Sequence, residues 1–233
     1  METNLLLCET TFPPGVYSYP FTFNLPNLLP SSMDEMYGSI RYSVKAIIDK
    51  PWAIDYECKK IFKVMSYKDL TTIDNITKPA EFSVEKRPFS LLDDSKPIKI
   101  TVNLPISGYV PSQMISFSAK IKNDSDVDVA EVRFKLAQGF VFHVKENIAS
   151  IDSLVGQEYA IVNSGVPSKS EKSWDLELRI PHNMFNGNLN FSNFIDTVWE
   201  LRGEVCLPFP YKNFKITVPF YLGDVPLPGT SIF

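Results

Sequence analysis

The chain has 233 residues, 44% of them hydrophobic and 21% charged, and a formal net charge of −4. This is a globular composition, large enough for two ordinary domains, and its acidity gives no global reason to bind nucleic acid. No apolar run approaches the roughly 18–20 residues that a membrane-spanning helix needs.

The chain opens on METNLLLCET, three leucines without a basic residue, which is not the pattern of a signal peptide. Prolines outnumber glycines, 18 to 10. That suits short strands stopped by proline and suits long helices badly. Phe21, Phe23 and Leu25 alternate ahead of Pro26. Over 39–48, Ile40, Tyr42, Val44, Ala46 and Ile48 share one face while Ser39, Arg41, Ser43 and Lys45 share the other, which predicts a half-buried strand. A further strand is read over 59–64. The stretch 71–97 has little periodicity and carries Lys78-Pro79, Arg87-Pro88 and Asp93-Asp94, so it reads as a linker. Alternation returns at Ile98, Ile100, Val102, Leu104, at Ile115, Phe117, Ala119, Ile121, and at Val132, Phe134, Leu136. It continues at Trp174, Leu176, Leu178, Ile180, at Trp199, Leu201, Gly203, Val205, and at Phe214, Ile216, Val218, Phe220. Turn formers such as Asn123-Asp124-Ser125-Asp126 and Asn186-Gly187-Asn188 separate these runs. Only 145–160 offers room for a short helix or an irregular loop. Regularly spaced strands of this kind indicate β-sandwiches.

One order of elements occurs twice: strand, proline, loop, long strand, proline-aromatic turn, strand. The first copy runs from Phe21 through Pro51-Trp52 to Val64, the second from Trp174 through Pro208-Phe209 to Val218. Two sandwiches of similar topology account for this repeat.

Particular residues resemble a known family. Pro14-Gly15-Val16-Tyr17, Leu29-Pro30-Ser31-Ser32, Gly38-Ser39-Ile40-Arg41-Tyr42 and Lys50-Pro51-Trp52 resemble the second half of an arrestin N-terminal domain. Gly108-Tyr109-Val110-Pro111 and the turn from Ile121 to Ser125 resemble the start of the arrestin C-terminal domain, and the run from Val218 to Leu227 resembles its end. The likeness is greatest to the α-arrestins, or arrestin-domain-containing proteins, and covers nearly the whole chain. It implies an all-β chain of two immunoglobulin-like, arrestin-type β-sandwich domains in tandem, the first incomplete. The expected layout is a partial N-terminal-like domain over 1–70, a linker over 71–97, a C-terminal-like domain over 98–226 and a tail over 227–233. The strands that should open the first domain are not found, so the exposed edge of that domain is expected to self-associate.

The residues point away from chemistry. His143 and His182 are far apart in sequence, and no Gly-x-Ser-x-Gly, H-E-x-x-H or glycine-rich phosphate loop is present. No catalytic, cofactor-binding or metal residues are expected, and no cofactor. Cys8, Cys58 and Cys206 are too scattered for a disulfide framework, which suits a reducing compartment. Cys58 reads as lying in a polar turn. Trp52, Trp174 and Trp199 read as core residues. The candidate contact is basic: Lys45, Lys59, Lys60 and Lys63 could meet anionic headgroups or a phosphorylated tail, or else be a solvated strand edge that lysines protect. The family's Pro-Pro-x-Tyr motif for WW-domain ligases is not found; after Pro13-Pro14 the tyrosine falls one residue late, at Tyr17.

The expected function is therefore non-enzymatic. The resemblance implies a cytoplasmic adaptor, peripheral to plasma membrane or endosomes, that binds membrane-protein cargo or trafficking machinery during intracellular protein transport. Two other readings stand beside it: a truncated remnant with a structural role, and a scaffold of the retromer-subunit type.

Overall fold

The computed structural model describes residues 13–88, 96–144, 147–153, 159–162, 165–184 and 187–228. The leucine-rich start with Cys8, and the tail beyond 228, lie outside them. Fourteen strands and one 3-10 turn fall among the described residues, with no α-helix. The architecture is all-β, as the alternation predicts.

Two sheets form the main core. The first has the order β12-β8-β6-β5, made by Ser170–Arg179, Met114–Asn123, Ile98–Leu104 and Ala80–Lys86. The second has the order β10-β9-β13-β14-β7, made by Asn147–Ser153, Glu131–Val144, Ile195–Cys206, Phe214–Leu222 and Gly108–Tyr109. A further strand, β11 (Tyr159–Val162), also pairs with β9. The predicted alternation is the reason these sheets face each other. Ile98, Ile100, Val102, Leu104, Ile115 and Ile121 from one sheet are wholly buried against Val132, Phe134, Leu201, Val218 and Leu222 from the other. Phe117 and Phe134 meet edge to face across the gap, with centroids 5.0 Å apart. Burying each such side chain is worth about 1.5–3 kcal/mol.

Three expectations need correction here. Residues 80–86, inside the expected linker, form β5, which pairs along its whole length with β6. Phe82 and Val84 pack against the main core; only two large apolar residues between two prolines carry the pattern, so it is weak. Within 145–160 there is no helix among the described residues but strand β10, and β11 begins at Tyr159. Both lie along one edge of β9, whose fourteen residues leave room for two partners on that side. The alternation at Phe21, Phe23 and Leu25 forms no ladder. Pro20 and Pro26 withhold donors there, and Phe23 packs on Phe62 instead.

The chain before residue 68 builds two small ribbons. β1 (Met33–Glu35) pairs with β2 (Gly38–Ile40), and β3 (Tyr42–Ile48) with β4 (Tyr56–Phe62). The first ribbon uses the second sheet as its floor. β9 and β13 run on past the main core, and their last inward residues, Phe140, Phe142 and Ile195, form a separate cluster with Met33, Leu189 and Ile40. One sheet thus serves two cores. The second ribbon is exposed: Tyr42 and Val44 are half-buried, while Ala46, Ile47 and Ile48 face water.

Candidate functional site

Two of the family-like motifs, Leu29-Pro30-Ser31-Ser32 and the Gly223-Asp224 pair, lie where the first part of the chain meets the sandwich. Ser31 and Ser32 sit at its centre. The Ser31 amide donates to the Asn188 carbonyl at 2.8 Å, and the Ser32 amide to the Val64 carbonyl at 2.8 Å. In return the Val64 amide donates to Ser32 Oγ and the Ser66 amide to Ser31 Oγ, each at 2.9 Å. Asn188 completes the clasp by donating from Nδ2 to the Tyr67 carbonyl. Two hydroxyls and one amide thereby pair backbone groups that no sheet ladder reaches.

The chain then passes over the end of β14. The Lys68 amide donates to Asp224 Oδ2 at 2.6 Å, and the Asp224 amide donates back to the Lys68 carbonyl at 3.2 Å. Lys68 is only 7% exposed. Its ammonium lies 4.5 Å from the centroid of the Trp199 ring. Burial pushes its pKa down, and the nearby Asp224 carboxylate partly opposes that. Leu70 lies beside Gly223, where a Cβ would come within 2.4 Å of Leu70 Cγ, so only glycine lets the two segments approach this closely. Leu70, Ile76 and Leu227 close a third small core.

Three of the four sequence-predicted lysines share one face of the second ribbon, and the fourth does not. In the β3–β4 register, Lys45 stands opposite Lys59, and Val44 opposite Lys60. Opposed residues share a face. Lys45 and Lys59 therefore lie on one side with Ile47 and Ile61, and Lys63, just beyond β4, is in phase with them. Lys60 lies on the other side, with Tyr42 and Phe62. Lys45 is paired with Glu57 at 2.6 Å on the exposed surface. Trp52 is not a core residue: it is 104% exposed at the tip of this hairpin. Cys58 is exposed on β4 rather than in a turn. Trp199 is buried as expected, and Trp174 is half-buried against the main core.

His143 does find a carboxylate partner that its sequence neighbourhood does not show. Its Nε2 lies 2.7 Å from Asp196 Oδ2, on the adjacent strand β13. The side chains are 41% and 57% exposed, so water screens the pair. Thr197, the neighbouring hydroxyl, is in register with Phe140 and belongs to the opposite, inner face. Among the described residues no group of three His, Cys, Asp or Glu side chains could hold a metal ion, and no helix is long and apolar enough to cross a membrane.

Lys68, Asp224 and Asn188 are the residues that sequence reasoning missed. A lone lysine in Ser66-Tyr67-Lys68-Asp69 looks like a solvated charge. The signal that could have found its site is Gly223-Asp224, which follows an otherwise continuous strand pattern.

This fold and this junction define a class of protein. Residues 3–71 match the family model "Arrestin (or S-antigen), N-terminal domain", and residues 94–227 match "Arrestin (or S-antigen), C-terminal domain". The chain belongs to the arrestin family. Similar curated proteins include arrestin domain-containing protein 1 of Rattus norvegicus, 28% identical over 95% of this chain and 49% of the relative. Arrestin domain-containing protein 17 of Caenorhabditis elegans is 30% identical over 94% of this chain and 50% of its own length. Arrestin domain-containing protein 4 of Mus musculus is 30% identical over 94% and 52%. The chain spans about half the length of the curated relatives it matches.

Proposed function

We propose that this chain is a non-enzymatic adaptor that binds membrane-protein cargo or trafficking machinery at the cytoplasmic face of membranes and takes part in endocytic sorting. Membership of the arrestin family supports this reading. The observation that carries it is the uneven distribution of exposed apolar side chains. After residue 96 the large apolar residues are mostly enclosed between two sheets, whereas Tyr19, Phe21, Ile47, Trp52, Ile54 and Ile61 before it are all exposed. Exposed apolar side chains gathered on one part of a chain mark interaction sites, and the segments flanking the hairpin are tied to Asn188 at the junction.

The test is capture with the full chain from cross-linked cells, followed by surface biotinylation of each captured integral membrane protein with and without the chain. Chain-dependent loss of a captured protein from the surface is the expected result. Unchanged surface levels throughout would overturn the sorting role, and one invariant set of soluble partners would favour a fixed-complex scaffold.

A further inference from the structure

The β3–β4 hairpin ends in a connection that neither propensity nor packing explains. Lys50, Pro51, Trp52 and Ala53 make a turn in which the Ala53 amide donates to the Lys50 carbonyl at 3.1 Å. Pro51 suits the second position of such a turn. The third position has a φ of 63°, and it is occupied by Trp52. Glycine or asparagine is the usual choice there, because a bulky side chain in the left-handed region is strained. The ring gains no burial in return, being wholly exposed, and Ile54 beside it is 90% exposed. Strain of this kind persists at sites of function.

Behind the tip, lysines crowd the ladder, with Glu57 paired to Lys45 at 2.6 Å. Lys45 and Lys59 oppose each other in the ladder, and like charges directly opposite are unfavourable. Lys63 follows in phase on the same side. Over residues 42–63 there are five lysines against the three carboxylates of Asp49, Asp55 and Glu57, in a chain whose net charge is −4. The basic excess is therefore local.

We propose that this hairpin docks directly on an anionic lipid bilayer. Trp52 and Ile54 enter the headgroup region, and Lys45, Lys59 and Lys63 face the anionic lipids. Tryptophan favours this interface because its ring is apolar while its N–H still finds water or headgroup oxygens. Lys45 and Lys59 stand three residues back from the tip ends of their strands, and Lys63, at the far end of the ribbon, meets the surface with the hairpin lying along it. Lys60 faces away and takes no part. This contact needs no cargo, so it stands apart from the adaptor reading and is tested without one.

The experiment is co-sedimentation of the full chain with phosphatidylcholine vesicles, with and without phosphatidylserine. The chain should sediment only with the anionic vesicles, and less as salt is raised. Changing Lys45, Lys59 and Lys63 together to Gln should weaken binding about a hundredfold, at about fivefold per lysine. Lys60→Gln should leave it nearly unchanged. Trp52→Gly separates docking from folding: relief of the positive-φ strain should raise the melting temperature, while vesicle binding falls. Sedimentation that ignores phosphatidylserine, equal loss with Lys60→Gln, or a Trp52→Gly variant that binds as the native chain does would each overturn the proposal. So would capture of a multiply phosphorylated peptide by the same three lysines with no vesicle binding, which would make the site a phosphopeptide site instead.

Discussion

The Lys68 ammonium lies 4.5 Å from the centroid of the Trp199 ring, where a charge from the first part of the chain meets the core of the second. Its backbone is held by a two-way hydrogen bond with Asp224. Burial outweighs the Asp224 field at the ammonium and lowers its pKa.

A pH dependence follows. Burial lowers the folded-state pKa of Lys68 below its unfolded value of 10.5. Between those two values the unfolded chain binds more protons, so stability from this group rises with pH across that window. Lys68→Met cannot titrate there. The native chain should gain stability relative to Lys68→Met as the pH approaches 10.5, measured by urea unfolding at a series of pH values. A constant difference from neutral pH upward would contradict this.

Gly223→Ala should open the junction without disturbing the sandwich. The new Cβ would lie 2.4 Å from Leu70 Cγ and 2.9 Å from the Lys68 carbonyl oxygen. The backbone oxygen cannot step aside as a side chain can, and overpacking of this kind costs about 1–3 kcal/mol. Trypsin should then cleave within residues 59–68 faster than in the native chain. Unchanged cleavage would show that the segment tolerates the methyl.

Asn123 holds the turn after β8. Its Nδ2 donates to the carbonyls of Val127, Val166 and Pro167, and its Oδ1 accepts from the amide and hydroxyl of Ser125. It is wholly buried, so the Asn-x-Ser pattern here offers no accessible acceptor for a glycan. Asn123→Ala should cost about 3 kcal/mol, since buried partners lose their bonds. Asn123→Asp should cost more, because an acceptor would then face carbonyl oxygens. Chemical denaturation of the two variants checks the order.

The edge strand β5 gives a fourth expectation. A fragment starting at residue 78 retains Phe82 and Val84 against the main core; one starting at residue 96 does not. Both side chains are only half-buried, so the longer fragment, ending with the shorter one at residue 228, should be more stable by about 2 kcal/mol. Equal unfolding midpoints would mean that β5 contributes nothing to the sandwich.

What the sequence by itself determined is the sandwich from Ile98 to Phe220. Each of those strands has one face in the core and one in water, so composition alternates with the pleat and can be read residue by residue. It also carried the family fingerprint, in Ser31-Ser32, Gly108-Tyr109 and Gly223-Asp224, without showing that the first and last of these hold the two parts together. Only the tertiary structure decided that, because Lys68 and Asp224 are 156 residues apart and no local pattern records their meeting. It likewise decided which lysines share a face. Lys59 and Lys60 are neighbours in sequence, yet the period of two sends them to opposite sides, and pairing with β3 selects Lys45 as the companion of Lys59. Trp52 shows the same limit. Its size suggests a core residue, but the connection that carries it stands beyond every element that could cover it. Burial follows from what packs against a residue, and that is settled by long-range pairing rather than by the side chain's own hydrophobicity.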